Sequence, residues 1–224
     1  MLPWLGRCSG FKSPPVHSFF KLFKMIKAII FDIGGVLIDI DGWINSLMRH
    51  STFKNKRRFS EMLNRAALPI CKNEINEAEF LTVFCAKMRI KDKKIAAAIF
   101  INGFKNYIKI NNDVVNIAKK LKKHFKLGII SNIIPQHAAA LRNKSFLKLF
   151  DEIILSCDIK KTKEEPEIFI RIAKKLNIFP NECLFVDDIK YFADVAKSVG
   201  MKAIVFKNNR QFSTEIKKYA NIQQ

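Results

Sequence analysis

Five short apolar runs constrain this chain most: Ile26 to Phe31, Leu127 to Ser131, Glu152 to Ser156, Cys183 to Val186 and Ala203 to Phe206. Runs of this kind predict strands buried on both faces, as the strands of parallel sheets are. Each of the last four is preceded by a stretch with a helical period, at 113–125, 136–149, 164–176 and 189–199. The alternation predicts an α/β fold built on a Rossmann-like doubly wound parallel sheet. Gly128 and Gly200 are expected where helices end or the chain turns into the next strand.

One interval breaks the alternation. Residues 42–110 hold no clear buried strand and show helical spacing instead, for example at Ile75, Glu79, Phe80, Val83, Phe84 and Lys87. They predict a small all-helical cap inserted after the first strand, with 25–41 and 111–224 forming the core. Open α/β sheets build their ligand crevice at the carboxyl ends of the strands, so an insert leaving there can roof the site. Trp43, Phe53, Phe59 and Phe84 are read as the core of that helical bundle rather than as pocket walls. Residues 1–24 carry three prolines, no acid and no clear period, and are read as a flexible extension.

The 224 residues are 49% hydrophobic, enough for a sizeable core. No window offers the roughly 18 consecutive apolar residues of a membrane span. The cysteines, Cys8, Cys71, Cys85, Cys157 and Cys183, are odd in number and form no CxxC pair, which fits a reducing, cytoplasmic setting without a disulfide or zinc site. A formal charge of +20 suits anionic partners, yet the lysines are scattered along helical polar faces. No specific nucleic acid is therefore expected as a partner, and a monomer or weak homodimer is.

The chemistry is concentrated at strand ends. Asp32 closes the first run, and Asp187 with Asp188 closes the fourth, in "CLFVDD". Parallel strands deliver these three carboxylates to one sheet edge, where they repel one another unless a cation neutralises them. Mg²⁺ suits such oxygen ligands and leaves positions for water and substrate phosphate. The second run ends in Ser131-Asn132, donors for an anionic oxygen, and Lys163 follows the third. Together they predict a phosphate cradle in which Lys163 neutralises charge and Asp32 attacks phosphorus.

The order strand-Asp, strand-Ser/Asn, Lys, strand-Asp-Asp resembles the haloacid dehalogenase superfamily of hydrolases. The pieces are "IIFDIGGVLID", "GIISN", "KEEPEIF" and "LFVDDIKYFADVAKSVGMKAIVF". "FDIGGVLIDID" followed by a helical insert is most similar to the bacterial sugar-phosphatase branch, including glucose-1-phosphatase-like members. The resemblance implies Mg²⁺ dependence, Asp32 as nucleophile and an aspartyl-phosphate intermediate on a small phosphorylated substrate. It also implies Lys163, Ser131 and Asn132 on phosphate, with the metal held by Asp32, the Gly34 carbonyl and Asp187. Asp188 is either a ligand or a neighbour of the ligands.

The sequence departs from that pattern in three places. Where most phosphatases of the superfamily have a second Asp as general acid, this chain has Gly34, which keeps the carbonyl and loses the carboxyl. Glu164 stands where proline often follows the lysine, and "SNIIP" lacks a further phosphate donor. Asp39 and Asp41 are nearby proton sources, read as surface or hinge residues. Three alternatives stay open: an impaired binding protein that keeps the cradle, a dehalogenase, and a phosphonate hydrolase. The last would draw an imine-forming lysine from Lys54, Lys56, Lys72, Lys87, Lys91, Lys93 or Lys94.

Overall fold

The computed structural model describes residues 25–219. The reading of 1–24 as an extension, and Cys8 with it, lies outside the described residues. In chain order the elements open with β1 (Ala28–Phe31), β2 (Ile38–Asp39), α1 (Asp41–Arg49), α2 (Lys56–Cys71), α3 (Glu77–Met88) and α4 (Lys93–Ala97). A π-helical turn at Ala98–Asn102 leads to α5 (Phe104–Tyr107), β3 (Lys109–Ile110), α6 (Asn112–Leu121), β4 (Lys126–Ser131) and α7 (Pro135–Leu141). The rest comprises β5 (Glu152–Leu155), α8 (Ser156–Ile159), α9 (Glu167–Lys175), β6 (Cys183–Asp187), α10 (Lys190–Ser198), β7 (Lys202–Val205) and α11 (Asn209–Ile216).

Five strands form one sheet in the order β5-β4-β1-β6-β7, all parallel. β1 is central because all four of its residues are fully buried apolar groups, with nothing to offer water on either face. Its period-two alternation splits the core. Ile29 and Phe31 face a layer containing Val114 and Ala118 of α6 and Phe212 of α11. Ala28 and Ile30 face the opposite layer, with Ile168 and Ile172 of α9 and Phe192 of α10. β5 and β7, at the edges, are only partly covered.

Two sequence expectations are corrected. Gly128 lies inside β4 rather than at a turn, and a Cβ there would come within 3.2 Å of Leu176 and 3.3 Å of Ile172, so α9 packs directly onto bare strand. The helix expected over 136–149 is two pieces. The polar stretch Arg142-Asn143-Lys144 interrupts the apolar period, α7 ends at Leu141, and Ser145–Leu149 forms a 3₁₀ turn. Gly200, with φ of +92°, ends α10 as expected.

The segment between β2 and β3 is all helical, α1 to α5. Phe59, Phe80 and Phe84 are fully buried within it, and Phe53 packs edge-on against Phe59 at 5.6 Å. Both ends of this segment are stitched to the rim of the sheet. β2 and β3 pair antiparallel, the Asn111 N–H donates to the Leu37 carbonyl at 2.9 Å, and its side-chain amide donates to the Val36 carbonyl at 3.1 Å. The helices are therefore anchored beside the carboxyl end of β1. Among the described residues, Cys71, Cys85, Cys157 and Cys183 are buried free thiols, and no helix is long and apolar enough to cross a membrane.

Candidate active site

β1 and β6 are neighbours, so Asp32 and Asp187, each at or just past its strand's end, emerge side by side. The rigid backbone fixes Asp32: its N–H donates to the Val186 carbonyl at 2.9 Å, and its Oδ1 accepts from the Ile33 N–H at 2.7 Å. Asp187 is fully buried and its Oδ1 accepts from the Ile189 N–H at 2.8 Å, ahead of α10. Between them stands Lys163, only 2% exposed. Its Nζ lies 2.8 Å from Asp32 Oδ2 and 2.6 Å from Asp187 Oδ2, with the Phe192 ring 4.6 Å away. A buried ammonium is tolerable only when paired in this way.

Charges at this rim do not balance. Burial alone would drive the Lys163 ammonium toward neutrality, but Asp187 and Asp32 outweigh that and hold it protonated, above the ordinary lysine range. Three carboxylates share this one cation. Burial pushes the Asp187 carboxyl up despite Lys163, and burial with the Asp32 charge pushes Asp188 up as well. Asp188 shows part of its side chain to the cavity, although protein surrounds most of it. The rim thus holds more negative charge than its lysine neutralises, which a proton or a cation can correct.

The carboxylate oxygens fit such a cation. One oxygen each from Asp32, Asp187 and Asp188 lie within 4.8 Å of one another, a hard, all-oxygen donor set suited to Mg²⁺. Gly35 makes room for the Asp188 carboxylate. With φ of +78°, it adopts a conformation that side chains disfavour, and a Cβ there would sit 2.5 Å from Asp188 Oδ2. Gly34 is different: a Cβ would meet only Ile40 Cδ1, at 3.5 Å.

Ser131 and Asn132, at the end of β4, line the same cavity of about 860 Å³ as Asp32, Gly34, Lys163 and Asp188. The Ser131 hydroxyl has no protein partner among the described residues. Asn132 is engaged on both sides. Its Oδ1 accepts from the Lys163 N–H at 2.8 Å, and its amide donates to Glu164 Oε2 at 3.3 Å. Glu164 therefore does not point away from the cradle but holds one of its members. Asp39 and Asp41 sit where the helical segment leaves the sheet: Asp39 Oδ1 accepts from the Asp41 N–H, and Asp41 pairs with Lys56 at 2.8 Å.

Some of the site was not anticipated. Trp43 lines the cavity as well as the bundle. Side chains meet two carbonyls of the π turn: Trp43 Nε1 donates to Ile99 at 3.1 Å, and His137 Nε2 lies 2.6 Å from the Phe100 oxygen. His137 belongs to α7, so this contact joins the sheet layer to the inserted helices. Its ring stacks on Phe104 at 3.8 Å. Of the lysines weighed for imine chemistry, Lys56 alone lines the cavity, where Asp41 holds it.

A parallel sheet that gathers three acids and a lysine at one rim beneath a helical insert defines a hydrolase of one family. Residues 26–200 match the haloacid dehalogenase-like hydrolases, and the chain belongs to that family. It is an enzyme of the hydrolase class. It is 27% identical over 187 residues to the phosphorylated carbohydrates phosphatase of Thermotoga maritima, covering 80% of this chain and 84% of that protein. A HAD family enzyme from Bacteroides thetaiotaomicron, solved as a magnesium complex, superposes with a TM-score of 0.64 at 24% identity, covering 86% of this chain and 99% of that one. The L-2-haloacid dehalogenase of Xanthobacter autotrophicus shares the fold too, with a TM-score of 0.59 at 18% identity over 87% of this chain and 83% of that one. The fold therefore hosts both chemistries, and the site must choose between them.

Proposed function

We propose that the protein is a Mg²⁺-dependent phosphatase that hydrolyses a small phosphomonoester, such as a sugar phosphate, with Asp32 as nucleophile. The observation that carries this reading is the convergence of Asp32, Asp187 and Asp188 on one point, with Lys163 bridging the first two. A dehalogenase site that must attract a carboxylate substrate gains nothing from two additional acids, whereas a cation site needs them. The name of the Thermotoga relative points the same way.

In this reading Asp32, Asp187, Asp188 and the Gly34 carbonyl would hold the ion, which would supply positive charge against that of the carboxylates and the phosphate. The Ser131 hydroxyl, the Asn132 amide and the Lys163 ammonium hold the remaining phosphate oxygens. An Asp32 oxygen attacks phosphorus, a P–O bond forms, and the bond to the leaving oxygen breaks. Water then attacks the same phosphorus, which restores the Asp32 carboxylate and releases phosphate. Position 34 offers the leaving oxygen no proton.

The helices α1 to α5 act as the cap that covers this chemistry. A screen of small phosphomonoesters with and without Mg²⁺, run beside Asp32→Asn, tests the proposal. Expected is Mg²⁺-dependent phosphate release that the variant abolishes. Turnover retained by the variant refutes Asp32 as nucleophile, and no turnover with phosphate still bound would favour a binding protein impaired by Gly34.

A further inference from the structure

The helix α2 buries Phe59, Leu63, Ala66, Ala67 and Ile70 in the bundle. A neighbouring face of the same helix carries Lys56, Ser60 and Asn64, all of which line the cavity above Asp32. The three are spaced at four residues, so they form a row about 12 Å long at about 1.5 Å of rise per residue. Among the described residues two of them are unused. Among the described residues neither the Ser60 hydroxyl nor the Asn64 amide has a hydrogen-bond partner, although a helical serine or threonine commonly bonds back to the preceding turn, as Thr82 does to the Ala78 carbonyl at 2.9 Å. Lys56 is neutralised by Asp41 at 2.8 Å.

We infer that Ser60 and Asn64 form a subsite for the hydroxyls of a linear, polyhydroxylated leaving group carrying a single phosphate. The inference rests on the phosphatase reading for where the phosphate sits. A serine hydroxyl and a carboxamide each donate and accept, which matches the hydroxyls of a polyol and nothing on an alkyl chain. The row bears no net charge, since Lys56 is paired, so it offers no second anion site and does not favour a bisphosphate. A cavity of about 860 Å³ leaves room for such a chain beyond the phosphate.

The test is equilibrium binding by calorimetry to the Mg²⁺-loaded Asp32→Asn protein, which cannot turn the ligand over. The probes are sorbitol 6-phosphate, n-hexyl phosphate and inorganic phosphate. Each hydrogen bond contributes about two- to tenfold in affinity, so the polyol ester should bind about tenfold tighter than the alkyl ester. Adding Ser60→Ala and Asn64→Ala should erase that preference and leave inorganic phosphate binding unchanged. Equal binding of the two esters in the parent, or a preference that survives the double substitution, overturns the subsite. Failure of all three probes to bind overturns the phosphatase reading with it. A preference lost on substitution in a protein whose wild type releases no phosphate would keep the subsite and discard the phosphatase reading.

Discussion

Substituting Gly34→Asp is expected to accelerate this enzyme, against the usual direction of site mutations. The backbone there lies outside the left-handed region, and the added Cβ meets only Ile40 Cδ1 at 3.5 Å, an ordinary contact. The new carboxyl would line the same cavity as Asp32 and Asp188, where burial first and the Asp32 charge second already raise Asp188. It should therefore hold its proton near neutral pH, as a general acid must. Positioned proton transfer contributes about 10²–10⁴-fold, or roughly 3 to 5 kcal/mol of barrier.

The gain must depend on the leaving group. An alkoxide leaves poorly without a proton, whereas p-nitrophenolate leaves unaided. Rapid-quench measurement of the first turnover isolates P–O cleavage from later hydrolysis of the aspartyl-phosphate, a step in which the same carboxyl would also draw a proton from water. For an alkyl phosphate the first-turnover rate should rise about 10²-fold or more, and for p-nitrophenyl phosphate it should change little. Equal acceleration of both esters, or of neither, refutes the argument that position 34 is where the missing proton belongs.

Three further outcomes follow from the geometry. Gly35→Ala places a Cβ 2.5 Å from Asp188 Oδ2 at a φ of +78°, and should weaken Mg²⁺ binding by titration calorimetry and lower the melting temperature, while Gly34→Ala does neither. Lys163→Met leaves Asp32 and Asp187 buried without their cation, and should cost about 3–5 kcal/mol by urea unfolding in the absence of Mg²⁺, with part of the loss recovered when Mg²⁺ is added. His137 is held neutral because burial pushes its pKa from 6.5 down to about 4. The unfolded chain thus binds the extra proton between those values, and stability present above pH 6.5 is lost on acidification toward pH 4, by about 3 kcal/mol. His137→Gln, which can still donate to the Phe100 carbonyl, should lessen that loss in parallel pH-dependent unfolding curves.

The sheet was legible because each strand is a short apolar run in regular alternation with helical periods, and the inner strands β1, β4 and β6 are buried on both faces. The acids at its rim were legible for a related reason: Asp32 and Asp187 interrupt apolar runs at their ends, where strand geometry alone determines what they face. Local turns and breaks were less so. Gly128 looked like a turn because a glycine's role depends on what packs over it, and Leu176 and Ile172 arrive from a helix distant in sequence. At the π turn Ala98–Asn102 two carbonyls meet Trp43 and His137 from elements distant in sequence, and no periodicity encodes that.

Glu164 shows how a departure visible in sequence acquires its meaning only in three dimensions. In the chain it is an acid beside a phosphate-binding lysine, which suggests either repulsion of substrate or a side chain turned to water. In the structure its Oε2 accepts from the Asn132 amide, while Asn132 Oδ1 accepts from the Lys163 N–H, so the carboxylate fixes the orientation of an amide whose two ends are otherwise interchangeable. The same bond takes one of the two N–H donors of the amide, so phosphate bound through Asn132 either competes for that donor or uses the other beside the Glu164 carboxylate. Either way Glu164 weakens the hold on substrate and on product alike. Glu164→Ala should then lower both the KM for a phosphomonoester and the inhibition constant of inorganic phosphate, by a few-fold for the loss of one competing hydrogen bond. If both constants rise instead, the orientation of Asn132 matters more than its availability, and Glu164 is a positioning residue of the cradle.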